Sequence, residues 1–176
     1  MAGVTTNNGW DYPTSTDYVR DGATAIQTLA SDIDTSTGKG LIAWQSYSPV
    51  LGGTGWVIGS GTRVGYYCQI GKTVHFTIRA TFGSGATFGA GRPTLTLPVT
   101  AAAQSGNVDF VTNVAYLDDS ATVRYIGSCD FTTTTVDLFV QNASGTYTSV
   151  TGVTSAIPMT WAVNDIIYVS GTYEAA

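Results

Sequence analysis

Between Thr73 and Phe82 the chain alternates strictly. Val74, Phe76, Ile78 and Ala80 are apolar, and Thr73, His75, Thr77, Arg79 and Thr81 between them are polar or charged. A period of two puts one set on each face of a β-strand, so Phe76 and Ile78 are expected in a core and His75 outside it. The run Arg63–Ile70 precedes it across Gly71-Lys72, a two-residue turn with glycine first, which is a β-hairpin signal. Further strand-like runs are Pro93–Pro98, Asn107–Leu117, Thr122–Cys129, Phe131–Val140, Tyr147–Val153 and Ile166–Tyr173. Asp118-Asp119-Ser120 and Asn142–Gly145 read as turns, and Gly83–Gly91 as a glycine-rich loop. Short strands at this spacing, with no helical pattern between them, indicate an antiparallel sandwich or barrel and argue against a parallel sheet; the fold expected is an all-β, jelly-roll-like β-sandwich, with the strand order left open.

The front of the chain differs. Residues 1–15 are polar and read as an extended arm, with Trp10, Tyr12 and Pro13 as its docking residues. Residues 16–34 are the one good helix, with Ser15 or Thr16 as its cap and Asp17 in its first turn. Its apolar positions Val19, Ala23, Ile26, Ala30 and Ile33 are spaced four, three, four, three, which makes a single heptad stripe. A helix this short is marginal alone in water, so the stripe needs a partner: identical helices, or the chain's own β-domain. The expected organisation is an arm and helix over 1–40, a linker and first strand region over 41–62, and an all-β sandwich domain over 63–176.

Composition sharpens this picture. Charged residues make up 11% of the chain, with a single Glu and two Lys, against about a quarter in ordinary soluble domains. The surface must be wetted by hydroxyls and amides, or covered by other subunits. A net charge of −5 argues against nucleic acid as a partner and gives no attraction to anionic membranes. No apolar run is long enough to span a bilayer, and no basic-then-apolar leader opens the chain. Cys68 and Cys129 sit in separate strand-like runs and read as small buried thiols. A bridge between them would require neighbouring strands.

No catalytic set is apparent. His75 is the single histidine, and nothing near it in sequence supplies a nucleophile or an orienting carboxylate. A zinc site needs more clustered ligands than one His and two separated Cys provide. Asp118, Asp119 and Asp165 have local turn reasons to be Asp, although a facing carboxylate pair for glycoside hydrolysis stays open. The glycine-rich pieces around Trp56 lack the helix that a dinucleotide loop requires. The expectation is a non-enzyme without cofactor or metal. Aromatic residues in or beside loops, Tyr47, Trp56, Phe88 and Tyr147, are the candidates for gripping a sugar or a protein surface.

The opening, with Trp10-Asp11-Tyr12-Pro13 and then Tyr18-Val19-Arg20-Asp21-Gly22-Ala23-Thr24-Ala25-Ile26, resembles the N-terminal segment of minor tail proteins of actinobacterial bacteriophages. The stretches Gly65-Tyr66-Tyr67, Gln69–Val74, Trp161–Asp165 and Val169–Glu174 are similar to the β-domain that follows such segments. The resemblance implies a virion protein, a minor tail or tail-fibre-like appendage assembled in the host bacterial cytoplasm. It implies attachment to other virion proteins by the N-terminus, a homotrimer, and a β-domain facing a host-surface glycan. A capsid decoration or head-fibre protein and a lectin-like carbohydrate-binding module are the alternatives.

Overall fold

The structure is a computed structural model that describes residues 3–5, 9–16, 18–40, 43–103 and 112–176; of residues 36–40 and 112 only the backbone is described. Asp17, residues 41 and 42 of the expected linker and first strand region, and residues 107–111 of the expected Asn107–Leu117 strand lie outside the described residues. The chain divides into two compact units, Met1–Ala43 with Gln69–Gly71, and Trp44–Cys68 with Lys72–Ala176.

In the first unit the expected extended arm is instead a small hairpin. Strand β1 (Gly3–Val4) pairs antiparallel with β2 (Asp11–Tyr12). Gly9 supplies the left-handed turn residue at φ +66, and its N–H donates to the Thr5 carbonyl. That turn lets a polar segment satisfy its own backbone. A single 3-10 turn, Val19–Asp21, leads into helix α1 (Gly22–Gly40). The helical segment therefore starts later than expected, and neither Ser15 nor Thr16 caps it. Tyr18 is the flanking extended residue and makes no side-chain cap, while the Thr16 hydroxyl is hydrogen-bonded to that of Thr14 at 3.0 Å.

The second unit is the all-β, antiparallel, sandwich-like body that the alternation predicts. Its strands are β3 (Gln45–Tyr47), β4 (Leu51–Gly52), β5 (Thr62–Ile70), β6 (Thr73–Thr81), β7 (Thr94–Thr96), β8 (Thr112–Asp118), β9 (Val123–Phe131), β10 (Thr135–Asn142), β11 (Ser149–Gly152) and β12 (Ile166–Glu174). They form one 10-stranded sheet in the order β3-β5-β6-β12-β8-β9-β10-β7-β4, with β11 added on β10. Laid flat, the two ends of that path would stand about 38 Å apart at ~4.8 Å per strand. Yet β3 and β4 are joined only by Ser48-Pro49-Val50, and Tyr47 to Leu51 spans at most ~14 Å of chain. The sheet must therefore curl until its ends meet around a common interior. Residues 44–52, within the expected linker and first strand region, close this curl, and Pro49 at the junction is fully buried.

The interior is the inward half of each alternation. Val74, Phe76, Ile78 and Ala80 of β6, Val114 and Tyr116 of β8, Val136, Leu138 and Val140 of β10, and Ile167 and Val169 of β12 are all buried. Turns are held by short polar side chains. Asp118 Oδ1 accepts the Ala121 N–H at 2.9 Å, and Thr132 Oγ1 accepts the Thr135 N–H at 2.8 Å. The Thr132 turn explains a shifted boundary: β9 runs through Asp130 to Phe131, and the chain reverses over Thr132–Thr134. Glycine is needed at Gly127, where a Cβ would run into the Phe139 carbonyl and the Tyr116 ring. That bare spot lets the Tyr116 hydroxyl reach the Phe139 carbonyl at 2.7 Å.

Candidate functional site

Three groups of residues were candidates for function, and their placements differ. On α1 the half-buried positions are Gly22, Ala25, Leu29 and Asp32, and the helix packs on β2. The heptad stripe lies one residue further on, about 100° around the helix. All of it is exposed in the single chain: Val19 at 98%, Ile26 at 61%, and Ala23, Ala30 and Ile33 as well. Of the arm residues, Trp10 is half-buried, Tyr12 and Pro13 are exposed, and the Tyr12 ring lies over Gly3.

The loop aromatics are mostly not surface residues. Trp56 is only 4% exposed and cannot grip a ligand. It meets Trp161 at 5.5 Å and Phe88 at 5.7 Å edge-on, and Phe82 at 6.0 Å in a tilted contact, between ring centroids. Its indole N–H donates to the Gly91 carbonyl at 2.6 Å, and that of Trp161 to the Thr154 carbonyl at 2.9 Å. Phe88 is half-buried and packs against the same cluster, stacking on Trp161 at 6.2 Å. Tyr47 folds its ring over Gly65 and meets Tyr67 edge-on at 5.8 Å. Burial raises its phenol pKa, and its hydroxyl is buried with no hydrogen-bond partner. Tyr147 alone of the four is a free surface ring, 85% exposed. The physical reason is the curl: the interior has open ends, and bulky rings on the connecting loops fill them.

The sequence reading missed the outward face of the sheet. Cross-strand registry sets Arg79 opposite Tyr168, Tyr168 opposite Ala115, and Ala115 opposite Ile126. The row beside it carries Leu117 opposite Arg124, and the row on the other side Thr77, Ser170, Asn113 and Ser128. Tyr168 is a ridge between two shallow depressions. One of ≈ 400 Å³ is lined by Val64, Tyr66, Thr77 and Arg79, the other of ≈ 300 Å³ by Ala115 and Arg124. The Arg79 guanidinium sits 5.9 Å from the Tyr168 ring centroid. The signal was present in the alternation itself, since the pattern that turns Phe76 and Ile78 inward turns Thr77 and Arg79 outward.

No protein-family model, curated protein or solved structure matches this chain.

The titratable groups have structural surroundings. Asp165 is 1% exposed, and both carboxylate oxygens are occupied: Oδ1 accepts the Asp119 N–H at 3.0 Å and Oδ2 the Ala162 N–H at 2.7 Å. Burial raises its pKa above the usual value, the two N–H donors oppose that, and the charges of Asp118 and Asp119 reinforce it. A carboxylate buried in this way is closed off from solvent and serves as a tether between backbone segments. Asp118 is half-buried at the end of β8, and hydrogen bonds from the Ala121 N–H and the Ser120 hydroxyl lower its pKa. His75 Nδ1 lies 2.8 Å from the Thr172 hydroxyl on the outer face. Cys68 and Cys129 are buried and form no disulfide, and their strands β5 and β9 are not neighbours. Among the described residues no group of three or more His, Cys, Asp or Glu is disposed to hold a metal ion, and no helix is long and apolar enough to cross a membrane.

Proposed function

We propose that this chain is a non-enzymatic structural protein of a bacteriophage particle, a minor tail or tail-fibre-like appendage. It joins other virion proteins through its N-terminal unit, assembles as a homotrimer through α1, and turns its β-domain to the host surface. The observation that carries the reading is the exposed stripe Val19, Ala23, Ile26, Ala30 and Ile33, beside a face of the same helix that is already half-buried. Apolar side chains at heptad spacing lose about 25 cal/mol of stabilisation per Å² left in water, and identical helices recover it. The resemblance of residues 10–26 to phage tail proteins supports the particle assignment, and the low charge of 11% suits a surface shared with other subunits.

Two measurements test it. Light scattering on the full chain is expected to give a trimer mass that falls to the monomer in Ile26→Asp, with the β-sheet circular dichroism unchanged. An unchanged mass removes the helix seam. Labelling of purified particles is expected on the tail. Label on the head lattice would make the protein a capsid decoration, and its absence from particles would overturn the virion reading altogether.

A further inference from the structure

We infer that the outer sheet face around Tyr168 is a binding platform for an anionic polysaccharide. The inference rests on the host-facing reading of the β-domain and names its ligand class and its residues.

The first argument is charge. The chain carries five more acidic than basic residues, yet Arg79 and Arg124 lie on one face, flanking the same tyrosine. Among the described residues neither arginine forms an ion pair, whereas Arg92, in the loop before β7, pairs with Asp137 at 3.8 Å. A guanidinium left without a carboxylate in an acidic protein is suited to a ligand's carboxylate or phosphate, which it can hold by two parallel hydrogen bonds.

The second argument is shape. Tyr66 and Tyr168 stand on strands β5 and β12 with β6 between them, about 10 Å apart at two strand spacings. A sugar ring fits between such phenols with its C–H face against the apolar floor of Val64 and its hydroxyls towards Thr77 and Ser170. The depressions are open and shallow, and they repeat on both sides of the Tyr168 ring. That suits a linear polymer lying across the strands better than a small molecule held in a closed pocket. Two arginines are too few for a nucleic-acid backbone, which is held by a longer row of cations.

The full chain should be titrated with hyaluronate, a phosphomannan and dextran. Binding to at least one of the two charged polymers is expected, with none to neutral dextran; which of the two binds distinguishes carboxylate from phosphate as the source of charge. Arg79→Ala and Arg124→Ala are exposed changes and should each weaken that binding about tenfold. Tyr168→Ala should weaken it as well, and raised salt should reduce it. Charged polymers binding no better than dextran, or arginine variants that keep full affinity, would overturn the inference. So would a change of oligomer mass in those variants, which would make the face an interface between copies. A chain found on particles but blind to both polymers sinks this inference alone; a chain absent from particles that still binds sinks the virion reading alone.

Discussion

Asp165→Asn isolates the most constrained polar group in the β-domain. Asp165 opens β12 and ties two other segments to it, the β8–β9 turn through the Asp119 N–H at 3.0 Å and the loop before β12 through the Ala162 N–H at 2.7 Å. The preceding residue, Asn164, takes φ +72 to deliver it. An asparagine has one acceptor oxygen, so one of the two N–H groups would face an NH2. A hydrogen bond to a charged acceptor contributes about 1.5–3 kcal/mol, and a buried donor left unpaired costs about 1–3 kcal/mol. Removing the buried charge offsets part of that, which leaves a net loss of about 2 kcal/mol. For a domain of this size the loss lowers Tm by roughly 4–8 °C. Burial raises the folded pKa of Asp165, so its contribution is fully present below 3.8 and is lost as pH rises through the folded value. The gap between wild type and variant should then be wider at pH 3.5 than at pH 8, on either side of the pI of 4.4. Urea unfolding followed by tryptophan fluorescence reads both, since Trp161 lies in the tethered loop. Equal midpoints at pH 8, or a gap that narrows on acidification, would refute the reasoning.

Two further substitutions probe other steps of the argument. Gly127→Ala places a methyl against the Phe139 carbonyl and the Tyr116 ring and should cost about 3 kcal/mol, read as a lower urea midpoint; an unchanged midpoint would mean that the close approach is not needed. Asp118→Asn should show the opposite pH trend to Asp165→Asn. The lowered pKa of Asp118 gives stability that is present above 3.8 and lost as pH falls through the folded value, so the variant should be the less stable protein at pH 8 and match wild type in strong acid. A constant difference across that range would assign its turn bonds no pH-dependent part.

The strands were legible because their chemistry is local. Alternation in β6, the Gly71-Lys72 turn and the prolines around β7 each follow from a few neighbouring residues, and the strands lie there. The arm was misread because Gly9 was taken for part of a polar run and not for the left-handed residue of a hairpin. The pairing partners of the 41–62 segment were not legible because closing a sheet is a long-range event. Nothing in Ser48-Pro49-Val50 announces that its flanks pair with β5 and β7, on opposite ends of the strand order.

The same closure explains why the binding candidates moved. In a flat two-layer sandwich, rings on connecting loops lie at the rim and meet solvent. In a curled sheet the loops fold over the ends of the interior, and Trp56, Phe88 and Trp161 are drawn inward because the volume there has no other filler. Their indole N–H groups find loop carbonyls at Gly91 and Thr154, so the rings satisfy their polar edge without water. A chain that commits its loop aromatics to this plugging has few of them left for recognition; among the described residues of the β-domain, Trp44 and Tyr147 are the exceptions. On the proposed reading recognition falls to the outer strand faces, where side chains are fixed by registry and need no loop ordering on binding. Tyr66, Arg79, Tyr168 and Arg124 stand on that rigid surface, away from the plugged ends. Rigid placement lowers the entropic cost of each weak contact, and three copies held by one helical seam would multiply them. If both proposals hold, the helix stripe and the sheet face act together through avidity. Neither is strong alone, and an Ile26→Asp chain that still bound an anionic polymer as tightly as the trimer would separate them.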